Sequence, residues 1–244
     1  MNYYAKTDIG KVRQKNQDQA FVMANTQNQI LAVVCDGMGG HKAGEIASRL
    51  VMDHIVRCFK INPAFLNEEE VKSWIFETVL QSNMLVKKMA KGNEDHEGMG
   101  TTVVLAVLMD NTLYVSHVGD SRAYILDNEK LTQVTKDHTL VNALIDQGAI
   151  TEEEALHHSQ KNVLLQAIGA SDEIMPSFYS FDFRDKTLLL CSDGLYNTVD
   201  TEMISKILKE NKSVNEKVTT LIDYANNQGG YDNIAVSIIE SGGM

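Results

Sequence analysis

Residues 29–40 read Q-I-L-A-V-V-C-D-G-M-G-G. The run 29–35 is nearly all apolar, the signature of a strand buried on both faces. It stops at Asp36, beside glycine. Similar runs follow: T-T-V-V-L-A-V-L-M at 101–109, then 112–118 and 122–126 on either side of Gly119, Asp120 and Ser121, which read as a turn between strands. Segments 186–191 and 233–239 complete the clear strands. Helical patterns lie between them. Residues 43–59 begin just after a glycine-rich turn, and 68–90 sets Val71, Ile75, Val79, Val86 and Ala90 along one stripe of helical period. Two short helices are expected at 140–147 and 151–158, the second opened by a Thr151–Glu154 capping box. Two amphipathic helices are expected at 201–209 and 214–227; the latter has Val214, Val218, Leu221, Ile222 and Ala225 on one face. Strands cluster in the middle as hairpins and helices come in pairs, so the pattern predicts an α+β layered domain with sheets packed on each other and helices outside.

The informative acids stand where buried strands begin or end, next to glycine: Asp36 after V-V-C, Asp120 after V-S-H-V-G, Asp193 after L-L-L-C-S, and Asp232 between G-G-Y and N-I-A-V. Any one of them reads as a turn former, since Asp-Gly is a common turn dipeptide. Four converging in one domain are another matter: a buried carboxylate is costly unless paired or metal-bound, and four without matching bases would not all stay ionised. Divalent cations resolve the repulsion. An all-oxygen donor set favours Mg²⁺, Mn²⁺ or Ca²⁺ over Zn²⁺, and two such ions roughly 3.5–4 Å apart are the usual device for phosphoester hydrolysis.

Composition narrows the classes. The chain has 244 residues, 43% hydrophobic and 23% charged, with a formal net charge of −11. That charge argues against a phosphate-backbone binder, so no nucleic-acid partner is expected. No long uncharged apolar run exists, so no membrane insertion is expected, and the N-terminus does not read as a signal peptide. Cys35, Cys58 and Cys191 are few and widely spaced, which fits buried thiols of a reduced, cytoplasmic protein. Only Pro63 and Pro176 are present and no low-complexity linker occurs, so nothing forces a domain boundary within 1–244.

Seven ordered blocks then carry a resemblance: T-D-I-G-K-V-R-Q-K-N-Q-D at 7–18, V-V-C-D-G-M-G-G-H at 33–41, G-M-G-T-T-V-V at 98–104, V-G-D-S-R-A-Y at 118–124, N-V-L-L-Q-A-I-G at 162–169, L-C-S-D-G-L at 190–195 and G-G-Y-D-N-I-A-V at 229–236. The chain resembles the protein phosphatase 2C type, the metal-dependent PPM family, most closely its small bacterial members. The resemblance implies one catalytic domain, a four-layer α-β-β-α sandwich of two antiparallel sheets flanked by helices. It implies hydrolysis of phosphoserine and phosphothreonine in proteins by direct attack of a metal-bridging water, with two catalytic Mn²⁺ or Mg²⁺ ions and a weaker third. Asp36 resembles the acid bridging both ions, and Gly37 would offer its carbonyl to one. Asp193 and Asp232 would complete the first ion's ligands, Asp18 would act through waters, and Asp120 resembles a ligand of the third ion, shared with Asp193.

Arg13 resembles the family's phosphate-binding arginine, whose planar fork suits bidentate contact. The general acid is His41 or a metal-bound water: eukaryotic relatives carry His directly after the Asp-Gly, where Met38 stands here. Asn233 is expected to orient Asp232 or a bound water, and His117 and His138 to serve structure. Segment 137–169 resembles the bacterial flap beside the active site, with Gln166 where relatives often carry Arg. By resemblance, the partners are phosphorylated proteins and a cognate, membrane-anchored Ser/Thr kinase. A nuclease or phosphodiesterase would share the metal chemistry, but charge and block order speak against it. A phosphatase-like binding module would lack metal-ligand aspartates, and all five are present.

Overall fold

The computed structural model describes residues 1–39, 43–91 and 96–241. In chain order the elements are β1 (Asn2–Asp8), β2 (Asp18–Ala24), β3 (Ile30–Met38), α1 (Ala43–Ile61), α2 (Glu68–Ala90), β4 (Gly100–Thr101), β5 (Val103–Met109), β6 (Thr112–Val118), β7 (Arg122–Asp127), β8 (Lys130–Gln133), α3 (Leu140–Asp146), α4 (Glu152–Leu156), β9 (Ser177–Asp182), β10 (Lys186–Cys191), α5 (Asp193–Tyr196), α6 (Thr201–Lys209), α7 (Val214–Asn227) and β11 (Ile234–Glu240). One antiparallel sheet runs β1-β11-β10-β7-β8. The other runs β2-β3-β5-β6-β9, with β4 paired to the end of β3.

The alternation of β3 builds the layers. Leu31, Val33 and Cys35 point to one side and pack with α1 and α2 residues such as Val51, Ile55, Ile75 and Val79. Ile30, Ala32 and Val34 point to the other side and meet Leu188, Leu190, Ala235 and Ile239 of the facing sheet. In β10, Leu189 and Cys191 turn outward onto Ile204, Val218, Leu221 and Ile222 of α6 and α7. A strand buried on both faces has no polar side, which is why these segments read as continuous apolar runs. The result is the expected sandwich: helices, two antiparallel sheets, helices.

Two details differ from the sequence pattern. The run 101–109 is not one strand but breaks at Thr102, because that residue spends its polar groups on Asp36: its N–H donates to the Asp36 carbonyl at 2.8 Å, and its hydroxyl accepts from the Asp36 N–H at 3.1 Å. Strands β6 and β7 lie in different sheets, so the turn carrying Asp120 crosses between layers instead of closing a hairpin. Gly119 makes that crossing with φ +102°, packed against the Thr102 side chain.

Candidate active site

Asp18 and Asp36 are direct cross-strand partners in β2 and β3. Asp36 continues the row Ile30, Ala32, Val34 and so faces the space between the sheets at their open end. From the facing sheet, β10 ends just before Asp193 and β11 begins just after Asp232; these strands pair through Cys191 and Val236. Asp120 arrives on the turn between layers. The structure thus brings all five sequence-predicted acids to one end of the sandwich.

Their electrostatics show how close they stand. Burial, opposed by the Ser192 hydroxyl and reinforced by Asp193 and Asp232, pushes Asp18 up to about 8. Asp36 is raised well above the carboxylate range, by burial first and then by Asp18, Asp193, Asp120 and Asp232. Burial, Asp193 and Asp137 push Asp120 up to about 7. Asp193 is raised by burial and Asp232. Asp18, Asp36, Asp120 and Asp193 are therefore each destabilised in the charged form by burial and by neighbouring carboxylates, and a divalent cation among them would relieve these four together. The donors are oxygens throughout, which suits Mg²⁺ or Mn²⁺. Among the described residues no three His, Cys, Asp or Glu side chains form a ready-made metal cage. Two of the acids are held by other groups: Asp232 by Arg13, and Asp18 by Ser192, whose hydroxyl donates to it at 2.6 Å.

Gly37 lies where helix and sheet touch backbone to backbone. A Cβ on Gly37 would come 2.2 Å from the Gly44 carbonyl oxygen in α1, so this contact tolerates no side chain. Arg13 is exposed on the loop after β1; its Nη2 donates to Asp232 Oδ2 at 2.7 Å. With Gln14, Lys15, Gln17, Gly39 and Asn233 it lines a cavity of about 300 Å³ beside the carboxylates. Asn233 meets Asp232 through its backbone N–H, which donates to Oδ1 at 2.8 Å. Its buried side chain instead binds the 9–17 loop: Nδ2 donates to the Ile9 and Lys15 carbonyls, both at 2.9 Å, and Oδ1 accepts from the Gln17 N–H. His41 lies outside the described residues.

His117 and His138 stack with ring centroids 4.4 Å apart. Burial holds His117 below the usual histidine range; burial and then His117 bring His138 down to about 4, so both are neutral near pH 7. In segment 137–169, Thr151 and Glu154 form the expected capping box on α4. Gln166 turns to accept from the Met175 N–H at 2.6 Å.

Several supporting residues escaped the sequence reading. The Ser192 hydroxyl bridges the sheets, accepting from the Ala235 N–H at 2.8 Å while donating to Asp18. Thr101 and Thr102 bracket the Asp36 backbone, and Thr102 shares a 2.7 Å hydroxyl contact with Ser121. For Ser192 the available signal was a hydroxyl placed between an apolar run and a strand-end acid, as in C-S-D at 191–193; Thr101 and Thr102 carry no such signal.

The protein phosphatase 2C family profile matches residues 10–234. The chain is 39% identical over 236 residues to the serine/threonine phosphatase stp of Listeria monocytogenes, covering 96% of this chain and 94% of that one. A solved S. agalactiae serine/threonine phosphatase superposes with a TM-score of 0.93 at 33% identity, covering 99% of each chain. The catalytic domain of the serine/threonine protein phosphatase PstP, solved with two manganese ions, superposes with a TM-score of 0.85 at 34% identity over 98% of this chain and 97% of that one.

Proposed function

This chain belongs to the protein phosphatase 2C family of serine/threonine phosphatases, and from that premise we propose that it hydrolyses phosphoserine and phosphothreonine in proteins at the Asp36 end of the sandwich, with divalent metal. The observation that carries the reading is the convergence of Asp18, Asp36, Asp120 and Asp193 on one another's charge, with Asp232 beside them and only Asp232 paired directly to a base, Arg13, among the described residues. Asp36, the Gly37 carbonyl, Asp193 and Asp232 would hold two Mn²⁺ or Mg²⁺ ions, with Asp120 and Asp193 at a weaker third and Asp18 acting through waters. Bound there, the ions would supply an activated water and neutralise phosphate oxygens.

The chain's own residues do the rest. Arg13, on the rim of the cavity, orients the phosphate through its fork. Asn233 fixes the loop that carries Arg13, and Thr101, Thr102 and Ser192 hold Asp36 and Asp18 in place. His41 or a water supplies the proton to the departing Ser or Thr oxygen. The whole chain would act as one catalytic domain with 137–169 as a flap. Its partners would be phosphorylated proteins and the Ser/Thr kinase that modifies them, in the cytoplasm; among the described residues no helix is long and apolar enough to cross a membrane.

Calorimetric titration with Mn²⁺, run beside assays on a phosphothreonine peptide and a phosphodiester, tests this. The reading expects tight Mn²⁺ binding, abolished by Asp36→Asn, and hydrolysis of the monoester only. Parent-like binding by the variant, or preference for the diester, would contradict it.

A further inference from the structure

Arg122 opens β7 two residues after Asp120, and its guanidinium joins parts of the molecule that are far apart in sequence. Nε donates to both oxygens of Asp137, at 3.1 and 3.0 Å, and Nη2 to Oδ2 at 2.7 Å. Nη1 donates to the Tyr124 hydroxyl at 3.2 Å. The guanidinium carbon lies 3.6 Å from the centroid of the Tyr196 ring. Tyr196 closes α5, the helix that Asp193 opens, and its hydroxyl donates to the Asp120 carbonyl at 3.1 Å. Asp137 is the first residue of the 137–169 segment. Its carboxylate also accepts from Gln133, and its carbonyl accepts from Asn142. Next to it, the His138 N–H donates to the Gly119 carbonyl at 2.9 Å.

One planar cation thus touches the root of the flap and the helix bearing Asp193, and through Tyr196 it reaches the backbone of Asp120. A bidentate pair combined with a ring stack fixes orientation as well as position, which a point charge does not. We infer that Arg122 is a positioning residue that couples the flap segment 137–169 to the Asp120–Asp193 edge of the carboxylate cluster. This rests on the reading of Asp120 and Asp193 as cation ligands. Tyr196 links the Asp120 turn to α5, and Arg122 links Tyr196 to Asp137, so a shift of either acid on holding a cation would be passed to the root of the flap. Coupling of this kind is reciprocal, so loosening the Arg122–Asp137–Tyr196 contact weakens the cation at that edge.

The test combines Mn²⁺ calorimetry with hydrogen exchange of amides 138–165, with and without Mn²⁺. Arg122→Lys keeps a charge but loses the fork and the flat face. Tyr196→Phe removes only the hydroxyl on the Asp120 carbonyl and serves should the first variant not fold. In the parent, Mn²⁺ slows exchange in the flap, and a weak binding event disappears in Asp120→Asn. In Arg122→Lys and Tyr196→Phe that weak event is about tenfold weaker or more, as for other partners that orient metal ligands. Flap exchange in both no longer responds to Mn²⁺, while the tight events persist. A merely structural arginine would lower the melting temperature and leave the flap response intact, and that result overturns the coupling. An Asp120→Asn isotherm identical to the parent's would instead overturn the ligand reading and with it the coupling.

Discussion

Arg13 shows what a single side chain does here. The seven-block pattern singles it out as a phosphate clamp, but its bond to Asp232 is visible only in three dimensions. A charge-assisted bond of this kind is worth about 1.5–3 kcal/mol. Arg13→Ala should therefore raise KM for a phosphopeptide by roughly ten- to a hundredfold at saturating Mn²⁺, with kcat changing less. Steady-state kinetics decides this; a loss confined to kcat would place Arg13 in the transition state instead. The strand-end aspartates were legible because a carboxylate beside a buried apolar run must be paired or metal-bound to be tolerated there. Ser192, Arg122 and Tyr196 were not, because serine before Asp-Gly reads as a turn, and an arginine or tyrosine reads as surface or core until its partners are seen.

At the scale of elements, the interior strands and the long helices could be read directly: α2, α6 and α7 span the expected residues, as do β6 and β10. Strands β1, β2, β8 and β9 were missed because their faces are only partly buried and their composition is mixed. The loop between β1 and β2 depends on Asn233, whose side chain answers three backbone groups of residues 9–17. Asn233→Ala leaves those groups without partners, at about 1–3 kcal/mol for each one that water does not reach. The expected outcome is a loss of roughly 2 kcal/mol or more in denaturant unfolding and a raised KM, because the loop carries Arg13. Parent-like stability would show that the loop is held by other contacts.

For the whole molecule, stacking two sheets brings like charges together at one end, and stability depends on how they titrate. Without metal, the fold favours protonated Asp18 and Asp120, at about 8 and about 7 against an ordinary 3.8. Their contribution is fully present below the unfolded value and is lost as pH rises through the folded values. His138 acts oppositely: its contribution holds above the ordinary 6.5 and is lost as pH falls towards about 4. Between pH 6.5 and 8 the raised carboxylates outweigh the opposing contribution of His54, His117 and His138, which fades as those histidines lose their protons in the unfolded chain. In chelator the melting temperature should fall across that window, at about 2–4 °C per kcal/mol. Mn²⁺ should reverse the slope, since its ligands bind deprotonated. A flat profile in chelator would mean the acids are not mutually strained. The central claim is that this acid cluster exists to run metal-dependent dephosphorylation. Phosphate release from a phosphothreonine peptide tests it most directly, measured for the parent in excess chelator, for the parent in Mn²⁺, and for Asp36→Asn in Mn²⁺. The account predicts turnover only for the parent with Mn²⁺. Full activity in chelator, or activity of Asp36→Asn within about tenfold of the parent, roughly 1.4 kcal/mol of barrier, would contradict it.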